Sequence, residues 1–309
     1  AVLGLVCIGL ILVSACVPRH PVVTRQPDVP VDPALVHGRL ANGFQYVLKK
    51  NPTPGERVYM HLDVFAGSVH ETDAQQGVAH YLEHMLFNGS RHFKPGELVE
   101  YFQSIGMDFG ADANARTGFY STVYDLALPD SNRAQLDKAL LIMTDYASGA
   151  LLLESEVDRE RGVILAEMRE RDSVSYRTFK QSLAFELPGS RLNRRWPIGL
   201  ESVIRATDRN LLKSYYDRWY RPDNMALVVV GDMDVDLVER LIRQRFSRLR
   251  ARSASPVSYS GVEWTPHSGD RAFYHHEAEA AATDVSIQVI TYRDFKPQTV
   301  AMLENQVLQ

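Results

Sequence analysis

Gly77-Val78-Ala79-His80-Tyr81-Leu82-Glu83-His84-Met85-Leu86-Phe87-Asn88-Gly89-Ser90 decides how this chain is read. At about 100° per residue on a helix, His80, Glu83, His84 and Phe87 share one sector, while Val78, Leu82, Met85 and Leu86 share the opposite one. The apolar sector is expected to face a core and the other to face a cleft. Histidines four apart project side by side and can share one metal ion. Zinc takes neutral imidazole nitrogens, usually one carboxylate, and keeps a position open for water, whose proton a nearby glutamate can accept. His80 and His84 are therefore candidate ligands and Glu83 a candidate base. At this chain's His and Glu frequencies, His-x-x-Glu-His is expected about 0.02 times by chance. An ordinary amphipathic helix with satisfied polar residues would read the same way, so a third ligand has to be found.

The best segment for it is Arg159-Glu160-Arg161-Gly162-Val163-Ile164-Leu165-Ala166-Glu167. Glu160 and Glu167 are seven apart, which returns both to one helix face beside Val163 and Ile164. Carboxylates flanking an apolar patch are costly to bury without a positive partner, and a metal ion would be one. The competing reading is a surface helix in which Glu167 pairs with Arg171 and Glu160 is solvated. Spacing does not choose between Glu160 and Glu167.

Outward from these segments, the pattern predicts an α+β fold, a mainly antiparallel sheet with helices packed on it. Leu40 to Leu48 around Asn42-Gly43 reads as a hairpin, Val58 to Phe65 as a strand, and 119–128 as a strand with Tyr120, Thr122, Tyr124, Leu126 and Leu128 on one face. Helices are expected over 74–87, 95–105, 133–148, 154–171, 208–219 and 235–249, with a buried strand at 225–230. The 309 residues, 45% hydrophobic and 23% charged, suit a globular protein. The net charge of -4 gives no electrostatic support for nucleic-acid binding, so a peptide or small-molecule partner is expected.

The ends read differently. Residues 1–16 carry an apolar run closing in Leu12-Val13-Ser14-Ala15-Cys16, which looks like a secretory signal with a lipobox; Cys16 would be lipidated and tether the protein to the bacterial envelope. A transmembrane anchor is the alternative. Both cysteines, Cys7 and Cys16, lie in this segment, so no disulfide is expected in the folded part. Residues 17–37, rich in proline, read as a tether, 38–250 as the main domain, 251–270 as a linker, and 271–309 as the start of a second domain opening with strand material at Ala272 and ending inside a helix.

Between Leu40 and Leu249 the sequence resembles the pitrilysin, insulysin and mitochondrial processing peptidase group, called inverzincins for their reversed zinc motif. The likeness rests on the 77–90 segment, Gly110-Ala111-Asp112-Ala113-Asn114-Ala115, the helix bearing Glu160 and Glu167, and Pro197-Ile198-Gly199. It continues through Trp219-Tyr220-Arg221-Pro222-Asp223-Asn224-Met225 to Val228-Val229-Val230-Gly231-Asp232. The resemblance implies a zinc endopeptidase with His80, His84 and Glu167 as ligands, Glu83 as general base and Glu160 as a supporting carboxylate. It also implies a peptide substrate added to a sheet edge near Asn114 and Ala115. Finally, it implies the first half-domain of a two-lobed clamshell whose second, peptidase-like lobe is truncated here. A non-catalytic, partner-binding relative is the rival, and such relatives usually lose motif residues that this chain keeps.

Overall fold

A strand with one face on a core alternates in burial, and Val58–Val64 does so residue by residue. In the computed structural model, which describes residues 31–254 and 268–289, this strand, β3, sits inside a sheet. The others are β1 (Leu35–Arg39), β2 (Gln45–Lys50), β4 (Ala113–Thr117), β5 (Thr122–Leu128) and β6 (Met225–Gly231). Their order is β1-β2-β6-β3-β5-β4. All neighbouring pairs are antiparallel except β2 with β6. Asn42-Gly43 turns the first hairpin, with Gly43 at φ +91°, and the pairing closes at Arg39 opposite Gln45.

One face of the sheet is dry. Tyr46, Leu48, Met60, Leu62, Tyr124, Leu126, Leu227 and Val229 are buried on it. Leu62 lies in register between Tyr124 and Leu227, and each such side chain contributes about 1.5–3 kcal/mol relative to exposure. The cover is helical: α1 (Val78–Met85), α2 (Glu97–Ser104), α3 (Arg133–Ser148), α4 (Glu154–Arg171), α5 (Val174–Glu186), α6 (Glu201–Ala206), α7 (Arg209–Trp219) and α8 (Val235–Phe246). Helix α8 packs on β2, α3 and α1 pack on β5, and α1 also lies against β4, α4 and α7. The fold is α+β, as the sequence predicts.

Several boundaries differ from expectation. The tether does not extend to residue 37, because Leu35–His37 already pairs with Val47–Lys49 in β1–β2. The helix expected over 74–87 is split: a single 3-10 turn covers Asp73–Gln75, and Gly77, at φ +100°, breaks the chain before α1 begins. The strand expected from residue 119 starts at Thr122, and Tyr120 is half exposed rather than on the buried face. No strand forms in 272–289. Val285, Ile287 and Val289 are 85–96% exposed, and alternation without a neighbouring strand has no ladder to complete. The lipobox segment with Cys16, the proline-rich stretch up to residue 30, linker residues 255–267 and the terminal helix beyond 289 lie outside the described residues. Among the described residues no helix is long and apolar enough to cross a membrane.

Candidate metal centre

The first amides of a helix need acceptors, and α1 receives a buried one. The Glu71 carboxylate, fully shielded from solvent, accepts from the Gly77 N–H at 3.0 Å and the Ala79 N–H at 2.8 Å. Arg191 and Arg195 both donate to the Glu71 backbone carbonyl. Burial pushes the Glu71 carboxyl up to about 8 in spite of these donors and arginines. Gly199 presses against the same corner, where a Cβ would lie 2.4 Å from Gly77 Cα. The entry to α1 is thus fixed by backbone packing and by a carboxylate. Val78, Leu82 and Met85 then point into the core with no exposed surface, which turns His80, Glu83 and His84 toward α4 and β4.

There the ligand atoms converge. His80 Nε2 lies 3.2 Å from His84 Nε2, and Glu167 Oε2 is 3.5 Å from each. Ligand bonds of 2.0–2.1 Å in a tetrahedron put neighbouring donor atoms about 3.3 Å apart. The triangle therefore has the edge lengths of one tetrahedral face, and its donors, two imidazoles and a carboxylate, are those zinc takes. Among the described residues this is the group of His, Cys, Asp and Glu side chains close enough to hold a metal ion.

A second layer holds the first. Glu160, 8% exposed, places Oε1 2.8 Å from His84 Nδ1 and accepts from Asn88 Nδ2 at 3.0 Å through Oε2. Arg159 in turn donates to Asn88 Oδ1 at 2.7 Å. A carboxylate on the far nitrogen fixes an imidazole's tautomer and ring plane. The rival reading of α4 is half right: Glu167 does pair with Arg171, at 2.6 Å, but through Oε1, which leaves Oε2 for the histidines. Glu160 is not solvated. The Glu83 carboxylate accepts from the Thr117 hydroxyl.

Charge follows this geometry. Burial, reinforced by the charge of His84, lowers His80 to about 4 and keeps it neutral at pH 7. Burial would also lower His84, but the hydrogen bonds its ring donates to Glu160 and Glu167 outweigh it and raise it to about 9. For Glu167 burial works upward, yet the His84 hydrogen bond and the charges of His80 and Arg171 take it down to about 2. Burial raises Glu83 over the opposing Thr117 hydrogen bond. Without metal, His84 and Glu167 thus form an ion pair, and a cation entering the triangle displaces the His84 proton.

The pH dependence has a definite sign. The folded pKa of His84 is above its ordinary 6.5, so its contribution is complete below about 6.5 and is lost as pH rises through about 9. Glu71, also raised, loses its contribution from about 4.5 to about 8, in the same direction. The contribution of Glu167 is complete above about 4.5 and is lost only as pH falls through about 2. Chelator-treated protein is expected to lose up to about 3 kcal/mol between pH 6.5 and 9 from His84, read by urea unfolding. Saturating zinc should remove the His84 part of this slope, since the zinc-bound ring and, above about 6.5, the unfolded ring are both deprotonated. A flat profile in both states would contradict the ion pair.

The sheet edge completes the site. Ala127 N–H donates to the Asp112 carbonyl and Gly118 N–H to that of Ser121. Antiparallel bonding alternates, so Asn114 and Arg116 turn their backbone groups to β5, while Ala115 and Thr117 turn theirs to the open edge. The Ala115 N–H meanwhile bonds to Asn114 Oδ1 at 2.8 Å. Of the residues singled out in the sequence, His80, Glu83, His84, Glu160 and Glu167 come together beside the edge bearing Asn114 and Ala115, and Cys16 lies outside the described residues. His61, His92 and His275 pair with Asp125, Asp145 and Glu277 elsewhere. Sequence reading gave no role to Glu71 or Asn88, and took Thr117 only as part of the edge segment Asn114-Ala115-Arg116-Thr117, without its contact to Glu83. Only their long-range contacts reveal them.

Most of the chain is similar to known proteins. A model of the insulinase family (peptidase family M16) matches residues 46–185, and one of the peptidase M16 inactive domain matches residues 207–309. The probable zinc protease PqqL of Haemophilus influenzae is 40% identical over 72% of this chain and 24% of its own length. The protein of that name in Escherichia coli is 36% identical over 74% of this chain and 24% of its own length. The crystal structure of the first half of the periplasmic protease PqqL from Escherichia coli superposes with a TM-score of 0.73 at 34% identity, covering 77% of this chain and 51% of that one. The chain spans about a quarter of the length of these curated relatives.

Proposed function

Because the chain belongs to the insulinase family, peptidase family M16, we propose that it is the metal-holding part of a zinc-dependent endopeptidase acting on peptides or unfolded polypeptide segments. The observation that carries this reading is the triangle of His80, His84 and Glu167 donor atoms at 3.2–3.5 Å with Glu83 beside it. When bound, zinc would supply Lewis-acid polarisation of a carbonyl and make water acidic enough to be deprotonated near neutral pH. The chain's own residues do the rest. Glu83 takes the water's proton and delivers it to the leaving amine, and burial favours its holding that proton between the two steps. Glu160 keeps the His84 ring in place. The Ala115 and Thr117 edge of β4 pairs with an extended backbone, which selects unfolded segments over helices and lets Asn114 and Ala115 contact the substrate.

The relatives' length and the periplasmic setting of the Escherichia coli protein extend the proposal. The intact protein would work in the periplasm, held to the membrane through lipidated Cys16, with a further peptidase-like lobe closing over the β4 edge. The test uses the full-length protein. Metal analysis should give about one zinc per catalytic domain, and cleavage of an unstructured peptide should stop with chelator and return with zinc. Metal-free protein that cleaves nothing after zinc is supplied would sink the reading.

A further inference from the structure

A general base works only if its carboxylate is aimed, and Glu83 has few means of aiming itself. It lies near the C-terminal end of α1, is 7% exposed, and is not held by the Asn88–Glu160 pair that orients His84. Its hydrogen bond comes from Thr117, across the cleft on β4. Thr117 is the last residue of the edge strand, paired with Thr122, and the side chains of Ala113, Ala115 and Thr117 share the half of the pleat turned to α1. The neighbouring Thr122 hydroxyl is already committed to the Ala66 carbonyl at 3.0 Å. Thr117 is therefore left as the donor to Glu83, and by the alternation of β4 its own N–H and C=O lie on the open edge.

We infer that Thr117 is a positioning residue that ties the substrate edge to the base: the residue whose backbone would pair with an incoming extended peptide is the one whose hydroxyl orients the Glu83 carboxylate. Two features of one residue produce the coupling. The backbone sits where a strand is added, and the hydroxyl spans from sheet to helix. A peptide that orders the edge thereby orders the base, whereas one failing to pair there leaves Glu83 less well aimed. This rests on the peptidase reading for its catalytic meaning, while the aiming of Glu83 stands apart from it.

The experiment compares Thr117→Val, which keeps the shape and removes the hydroxyl, with Thr117→Ser, which keeps the hydroxyl, in the full-length protein. With an unstructured peptide, Thr117→Val is expected to lower kcat between about ten- and a hundredfold, with KM within about twofold and zinc content unchanged, and Thr117→Ser to stay near wild type. Crystal structures of wild type and Thr117→Val supply a readout independent of turnover: Glu83 should hold one rotamer against Thr117 in the first and spread over several in the second. Wild-type kcat in Thr117→Val, equal losses in both variants, or an unmoved Glu83 in Thr117→Val would overturn the inference. A wild-type protein that orders Glu83 through Thr117 yet cleaves nothing would support the positioning and sink the peptidase reading instead.

Discussion

Glu83→Gln is expected to reduce peptide cleavage by the full-length protein by about a thousandfold or more while leaving its zinc in place. Such a factor is about 4 kcal/mol of transition-state stabilisation, within the range for loss of a positioned general base. Zinc should remain because the Glu83 carboxylate is outside the triangle: the three donor atoms belong to His80, His84 and Glu167. The amide has nearly the volume of the carboxylate and can still accept from Thr117, so α1 should not shift. What it cannot do is take a proton from water. Steady-state kinetics beside metal analysis separate the roles. Loss of both activity and zinc would make Glu83 a structural prop of the site, and retention of more than about a tenth of the activity would remove it as the base.

The parts legible in the sequence are those whose cause is local. Helices 133–148 and 154–171 were readable to the residue, because their signals act within one segment: an apolar stripe in the first, and acidic first-turn and basic last-turn residues in the second. The strand Met225–Gly231 announced itself by a continuous apolar run. Helix α5 was not readable, since none of Val174–Glu186 is buried and no core-facing stripe is imposed on it. The β4 strand was foreseen only as an edge: Ala-Asn-Ala-Arg-Thr has weak β propensity and owes its conformation to pairing with β5. The parallel match of β2 with β6 joins segments some 180 positions apart and has no local signature.

The site divides along the same line. His80, Glu83 and His84 lie on one helix turn, so helical periodicity alone groups them. Glu71 is different: its carboxylate caps a helix six to eight residues ahead across an irregular stretch, and no spacing rule marks it. Asn88 and Thr117 likewise act through contacts made by folding. The pairing of Glu160 and Glu167 on one face of α4 was visible, but their division of labour was not, because positions seven apart look alike from the sequence.

That division yields the sharpest test. Glu167 Oε2 is 3.5 Å from both Nε2 atoms, on the side where the histidines face each other, whereas Glu160 Oε1 is 2.8 Å from Nδ1 at the back of the His84 ring. A carboxylate at the back cannot share an ion held by Nε2, and one at the front must. Glu167→Ala is therefore expected to lower zinc affinity by on the order of a thousandfold or more, leaving two imidazoles and an unpaired Arg171 at the triangle. Glu160→Gln removes a charge behind His84 but keeps a hydrogen-bonding side chain, and should cost about 10–100-fold, as for other outer partners of metal-bound histidines. Competition titration against a zinc-binding dye reads both constants. The two variants should also part in pH behaviour, since either loss weakens the hold on the His84 proton but only Glu160→Gln leaves the triangle intact to exchange that proton for a metal. If Glu160→Gln emptied the site and Glu167→Ala did not, the two carboxylates would have to trade roles, and α4 would have to turn to bring Glu160 to the Nε2 side.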